Sequence, residues 1–224
     1  MSLLPGYTHI INPRLKHTYL SFDEEGELVI KSPKVSLQYI EQLLIKKSAW
    51  INRSREKIRS KKGRAVNFSH EPRLYFKGET FPLMLIPREK KHCTLTFDQR
   101  SFQLYYHHYD TALFEKHINR FYKQSAEVQI PALVDLWAEK MQLSPQKISF
   151  RKTKRQWGSC SRENRISFNT MMMKLPQNVI EYIIVHELAH IRHKHHQKSF
   201  WHCVEKAMPD YRSHRAELKH YTTY

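Results

Sequence analysis

Apolar and polar positions change period several times along the 224 residues of this chain. After Pro33, the residues Val35, Ile40, Leu43, Leu44, Ile51 and Ile58 recur at roughly helical spacing, with Ser32 placed to cap the start and Gly63 to stop it. That pattern predicts a helix near 33–62. From Arg73 to Ile86 the period falls to two: Leu74 and Phe76, then Phe81, Leu83 and Leu85, alternate around Lys77-Gly78-Glu79, which predicts a hairpin. Cys93–Phe97 and Phe102–Tyr106 read as two more strands. Helical spacing returns over 111–122 (Leu113, Ile118, Phe121) and over 131–141 (Leu133, Leu136, Trp137, Met141). Short strands at Lys147–Lys152 and Arg165–Asn169 flank Trp157-Gly158-Ser159-Cys160, and an apolar helix follows Pro176. The expected class is α+β: a β-rich N-terminal part over 1–108 carrying the basic helix, and a part over 109–224 with the candidate chemistry, able to pack as one domain.

Composition narrows this. With 40% hydrophobic and 12% aromatic residues, apolar burial can offset chain entropy, which excludes a disordered polybasic tail. No apolar run approaches the roughly 20 residues of a spanning helix, and the start, MSLLPGYTHI, lacks a secretory pattern, so the expected location is the cytoplasm. Three cysteines without a C-x-x-C pair argue against a disulfide framework or a thiolate zinc knuckle. The formal net charge of +17 is uneven: +7 over 1–64, +2 over 65–150 and +8 over 151–224. The densest run holds Lys46, Lys47, Arg53, Arg55, Arg59, Lys61 and Lys62, which are the candidate nucleic-acid contacts; a second basic cluster spans Arg151–Arg165. Such runs more often form a solvated helix face, so charge alone does not assign a nucleic-acid partner.

The chemistry is concentrated in His186-Glu187-Leu188-Ala189-His190, an H-E-x-x-H pattern inside the apolar stretch Ile180–Ile191. Histidines four apart project from one helical face with about 6 Å between their side-chain origins, so both imidazoles can reach one ion. Glu187, next to the first of them, can deprotonate a metal-bound water without being a ligand. Zinc suits three protein ligands and an open fourth position. Buried histidines and a buried carboxylate need a partner, and a metal supplies one. Four histidines, His193, His195, His196 and His202, are available as third ligand. His193 on an unbroken helix would stand about 10 Å along the axis from His186, far for one tetrahedral ion. A ligand arriving after the chain leaves the helix fits better.

The ordered set Trp157-Gly158-Ser159-Cys160, Ile166, Asn169, Leu175-Pro176, Tyr182-Ile183-Ile184-Val185, His186-Glu187-Leu188-Ala189-His190, and His196 followed by Phe200-Trp201 resembles the YgjP-like metallopeptidase family, related to the SprT-like and WLM zinc proteases within the zincin group. The likeness runs from about Leu133 to Leu218 and is strongest between Trp157 and Trp201. It implies a zincin-like core in which His186, His190 and His196 hold one zinc ion and Glu187 is the general base. The chain departs from the family at His195, where members usually carry Asn.

Other residues receive lesser roles. Tyr211 and Arg212 are candidates to stabilise the oxyanion. The strand opened by Trp157 and Gly158, with the strand ending at Asn169, is a candidate edge for pairing with an extended substrate, Gly158 allowing close backbone approach. Cys160 is read as packing rather than as a nucleophile, because nothing nearby in sequence supplies its base, and Met171-Met172-Met173 as core filling. The expected function is zinc-dependent hydrolysis of peptide bonds in peptide or protein substrates. The rival is a nucleic-acid-associated module, or a protease acting on nucleic-acid-bound proteins, with a structural or recruiting metal site.

Overall fold

A computed structural model of the chain describes residues 5–23, 26–63 and 66–223. The chain separates into two compact units, residues 1–61 and 62–224. The boundary drawn from the sequence, between 108 and 109, thus falls inside the second unit. There, residues from both sides of it, such as Leu74, Phe102, Val134 and Ile184, share one core.

In the first unit, β1 (Tyr7–Ile11), β2 (Tyr19–Phe22) and β3 (Leu28–Ser32) form a sheet of order β1-β3-β2, and α1 runs over Leu37–Arg59. Leu28 and Ile30 of β3 meet Ile40, Leu44 and Ile51 of α1 in a small core. The helical face read from the sequence is therefore the buried one, but the cap is Ser36, whose side chain accepts from the Tyr39 N–H. Ser32 instead ends β3, where its hydroxyl meets His9 Nε2 and donates to the Pro33 carbonyl. The helix stops at Arg59, before Gly63, with Ser60 as its C-cap.

The second unit carries β4 (Arg73–Phe76), β5 (Glu79–Pro87), β6 (Thr94–Phe97) and β7 (Phe102–Tyr106) in the order β4-β5-β7-β6, and a smaller sheet of β8 (Lys147–Arg151), β9 (Gly158–Cys160) and β10 (Arg165–Asn169) in the order β8-β10-β9. Four helices complete it: α2 (Thr111–Met141), α3 (Gln177–Arg192), α4 (Lys198–Ala207) and α5 (Tyr211–Leu218). The helical stretches read over 111–122 and 131–141 belong to one helix, with Pro131 inside it. Phe114, Ile118, Tyr122, Ala126, Ile130, Val134 and Trp137 bury a continuous stripe of α2. A mid-helix proline costs about 3 kcal/mol, and each large side chain buried contributes about 1.5–3 kcal/mol, so the stripe outweighs the lost hydrogen bond. Among the described residues, no helix is long and apolar enough to cross a membrane.

The β4–β5 turn holds the approach to α3 in place. Lys77 and Gly78 both have positive φ, 51° and 87°, as a type I′ turn requires. Their N–H groups donate to the carbonyls of Met173 and Lys174, at 2.8 and 3.1 Å, in the 3₁₀ segment Thr170–Lys174 that leads into α3. All three of Met171, Met172 and Met173 are buried there. A Cβ on Gly78 would lie 2.8 Å from Pro176 Cγ and 3.0 Å from Pro176 Cα. Gly78→Ala is therefore expected to destabilise the protein by about 1–3 kcal/mol, from the positive φ and the clash together. Denaturant unfolding measures this, and an unchanged midpoint would contradict the docking role of the turn.

Candidate metal centre

Leu175 and Pro176 are extended, and Gln177 opens α3, whose Val179, Ile180, Ile183, Ile184, Val185, Leu188 and Ala189 are buried. That apolar surround fixes the helix and holds its polar residues in place. The chain leaves helical geometry at His193 (φ −126°, ψ 100°), so the next four residues run as a loop into α4. The loop brings His196 back over the helix. His196 Nε2 lies 3.1 Å from both His186 Nε2 and His190 Nε2, and the three nitrogens are the one group of metal-ligand type gathered within 4.8 Å among the described residues. Two Zn–N bonds of about 2.0–2.1 Å at a tetrahedral angle separate their nitrogens by about 3.3 Å, so the spacing fits a zinc ion. His193, His195 and His202 stand outside the group.

The surroundings favour the neutral form of His186 and His190. His190 Nδ1 lies 2.9 Å from the His193 carbonyl, which takes the ring proton and leaves Nε2 its lone pair. Phe200, fully buried, packs on all three imidazoles with ring centroids 4.5–4.9 Å away. Burial, reinforced by His190 and His196, pushes His186 down to about 3, and burial lowers His190 as well. Ligation needs neutral imidazole, so this environment suits it.

Glu187 is 5% exposed, burial pushes its carboxyl up to about 8, and its Oε2 has no hydrogen-bond partner among the described residues. An unsatisfied buried carboxyl oxygen is expensive, and Glu187 stands on α3 between His186 and His190, where Glu187 Oε2 and His186 Nδ1 are both buried without a partner among the described residues. Another neighbour of Glu187 is backbone. A Cβ on Gly158 would lie 2.6 Å from both Glu187 Cγ and Glu187 Oε1, so β9 crosses the carboxylate at a distance that only glycine permits.

The strand role assigned to Asn169 needs correction. β10 is the central strand, paired with β8 on one side and β9 on the other, so Asn169 offers no free edge. Its side chain donates to the carbonyls of Thr153 and Gln156 and accepts from the Met171 N–H, holding the loop ahead of Trp157. Trp157 contributes the carbonyl that receives the Asn169 N–H, and Gly158 begins the edge strand. Cys160 is half-buried, burial pushes its thiol up, and Lys194 Nζ stands 3.8 Å from its sulfur. Lys194 also donates to the Ser161 carbonyl and Asn164 Oδ1, tying the loop that carries His196 to the β9–β10 turn.

Tyr211 is buried in an aromatic wall, stacked on Trp201 and Tyr182, with Trp201 in turn stacked on His196. Arg212 turns towards Glu205, 3.2 Å away, and its Nε donates to the Tyr211 hydroxyl. Tyr182, quoted in the family motif without a role, lies 5.9 Å from His186 between ring centroids, and Arg215, which no motif includes, lies 4.5 Å over Trp201. Nothing in the linear order of residues sets Arg215 apart from Arg212.

Among the basic candidates, Lys46, Lys47 and Arg53 are exposed on α1. Arg55 is turned inwards to Glu27 and the Gly6 carbonyl. Lys61 follows the helix, Lys62 pairs in a β-bridge with Tyr221, and the Arg59 side chain lies outside the described residues.

A family model agrees with the motif. Described as YgjP-like, metallopeptidase domain, it matches residues 16–221. Among solved structures, the metallopeptidase zymogen abylysin of Pyrococcus abyssi is similar over 40% of this chain and 91% of its own, at 22% identity and a TM-score of 0.38. No curated protein matches the chain. The family match spans most of both units and includes the whole of α3, α4 and α5, and the chain belongs to the YgjP-like metallopeptidase family.

Proposed function

We propose that the chain is a zinc peptidase in which His186, His190 and His196 hold the ion and Glu187 is the general base. The observation that carries this reading is the convergence of the three imidazoles, with Glu187, one residue after His186 on α3, buried and its Oε2 without a partner among the described residues. When bound, zinc supplies Lewis acidity and brings the pKa of a coordinated water towards neutrality. Glu187 accepts a proton at Oε2 from the attacking water and passes it to the nitrogen of the leaving amine. Gly158 keeps the carboxylate from swinging aside. The free edge of β9 pairs with an extended substrate by strand addition, laying a peptide carbonyl beside Glu187. Tyr211, within the aromatic wall, serves as the candidate for steadying the oxyanion, while the pairing of Arg212 with Glu205 argues for a structural role there.

Metal analysis of purified protein together with digestion of a proteome-derived peptide mixture tests this reading. About one zinc per chain and cleaved peptides are expected. His196→Ala should lose most of the metal, whereas His195→Ala, outside the cluster, should keep it. Wild-type metal content in His196→Ala would overturn the ligand assignment, and metal-loaded protein that leaves every peptide intact would overturn the peptidase reading.

A further inference from the structure

Arg215 is a cation beside the metal centre with no partner of opposite charge among the described residues. It lies on α5, and its guanidinium carbon sits 4.5 Å from the centre of the Trp201 ring. Trp201 is 5.9 Å from the His186 ring and 5.7 Å from the His196 ring, centre to centre. The distances of 4.5 and 5.9 Å place the guanidinium carbon no more than about 10.4 Å from the His186 ring.

Among the described residues, Arg215 makes no salt bridge and donates no side-chain hydrogen bond, while Arg212, one turn earlier, is engaged by Glu205 and by the Tyr211 hydroxyl. The side chain is exposed, so its charge is not a burial problem. Cation–π attraction to the indole face holds the guanidinium there, and with no hydrogen bond of its own among the described residues its N–H groups are available to a carboxylate, which arginine takes in bidentate fashion. An extended peptide advances about 3.3–3.6 Å per residue, so a carboxylate one or two residues from the scissile carbonyl spans the gap.

We infer that Arg215 binds a carboxylate of the peptide substrate and thereby selects the residue placed next to the bond to be cut. This rests on the peptidase reading above. The carboxylate comes either from the peptide's C-terminus or from an Asp or Glu side chain, and the two sources are separable.

The test uses zinc-loaded, full-length Glu187→Gln protein, in which a bound peptide is consumed far more slowly, and fluorescence anisotropy as the readout. Three fluorescein-labelled pentapeptides of one alanine-rich sequence serve as probes: a C-terminal acid, its amide, and an amide with one internal glutamate. One acidic probe is expected to bind about tenfold or more tightly than the plain amide. Preference for the terminal acid identifies the α-carboxylate, and preference for the internal glutamate identifies the side chain. Adding Arg215→Gln should shrink the preference to about twofold or less and leave the affinity of the amide unchanged, with Arg215→Lys intermediate. A preference that survives Arg215→Gln means that the zinc itself takes the carboxylate, and overturns the inference. Equal binding of all three probes overturns it too, while the peptidase reading stands if wild type still cleaves. Wild type that carries one metal per chain and cleaves nothing removes both.

Discussion

Glu187→Gln is expected to lower peptide hydrolysis by about 10²–10⁴-fold while zinc stays at wild-type stoichiometry. Glutamine keeps the size of the side chain beside Gly158 but cannot accept the proton of the attacking water. None of the three converging nitrogens is touched, so the metal is retained. The metal-free proteins should differ in a second way. Burial holds the Glu187 carboxyl at about 8, above its ordinary 4.5. A carboxyl raised in the folded state binds its proton more tightly there than in the unfolded chain. Folded stability is therefore present in full below about 4.5 and is lost as pH rises towards 8. Metal-free wild type should show that decline relative to metal-free Glu187→Gln; the histidines titrate in both proteins, so the difference isolates Glu187. Wild-type turnover by the variant would end the general-base assignment, and parallel stability curves would end the account of its burial.

The parts of this molecule that could be read from its sequence are those decided by neighbours along the chain. Phe102–Tyr106 and Arg165–Asn169 are strands with the boundaries that their period and composition predict. The Lys77-Gly78 turn follows from the left-handed preference of glycine. The H-E-x-x-H spacing places His186 and His190 on one face of α3 by helix geometry alone. The misread features depend on distant residues. Pro131 stays inside α2 because Ile130 and Val134 continue a buried stripe against the core, a tertiary gain invisible to a rule about proline. Ser32 and Ser36 both suit a cap, and the choice went to Ser36 because β3 extends to Ser32 and seals it into the sheet. Asn169 looks available to a substrate until the strands on either side of β10 are known.

The site divides the same way. Family resemblance favours position 196 as third ligand, and the geometric reason is the break at His193, which lets the loop return over the helix. Phe200 and Trp201 stand out in the sequence as a motif without a task; their rings are the surface on which the imidazoles rest. Arg215 reaches the centre only through Trp201, so its place depends on how α4 and α5 pack around α3, information that no local pattern carries.

Gly158→Ala is expected to reduce hydrolysis by about a hundredfold through Glu187, with zinc still bound. Gly158 and Glu187 are far apart in sequence, yet a Cβ at Gly158 would stand 2.6 Å from Glu187 Cγ and 2.8 Å from Glu187 Cδ. The obstructing atoms include the buried stem of the side chain, not only its movable end. Relief therefore requires either that Glu187 rotate away from the metal centre or that β9 lift from α3. Overpacking of this kind costs about 1–3 kcal/mol in stability, and either movement misplaces the base. Because the effect acts through one carboxylate, it should not add to the loss of that carboxylate. In a Glu187→Gln background, Gly158→Ala should lower the residual rate by less than about threefold, a strongly non-additive cycle. A full hundredfold loss on top of Glu187→Gln would show that Gly158 serves the substrate strand directly, by keeping open the edge of β9. An active single variant would show that β9 can yield at no cost, and that the close approach of backbone to carboxylate does not hold the base in place.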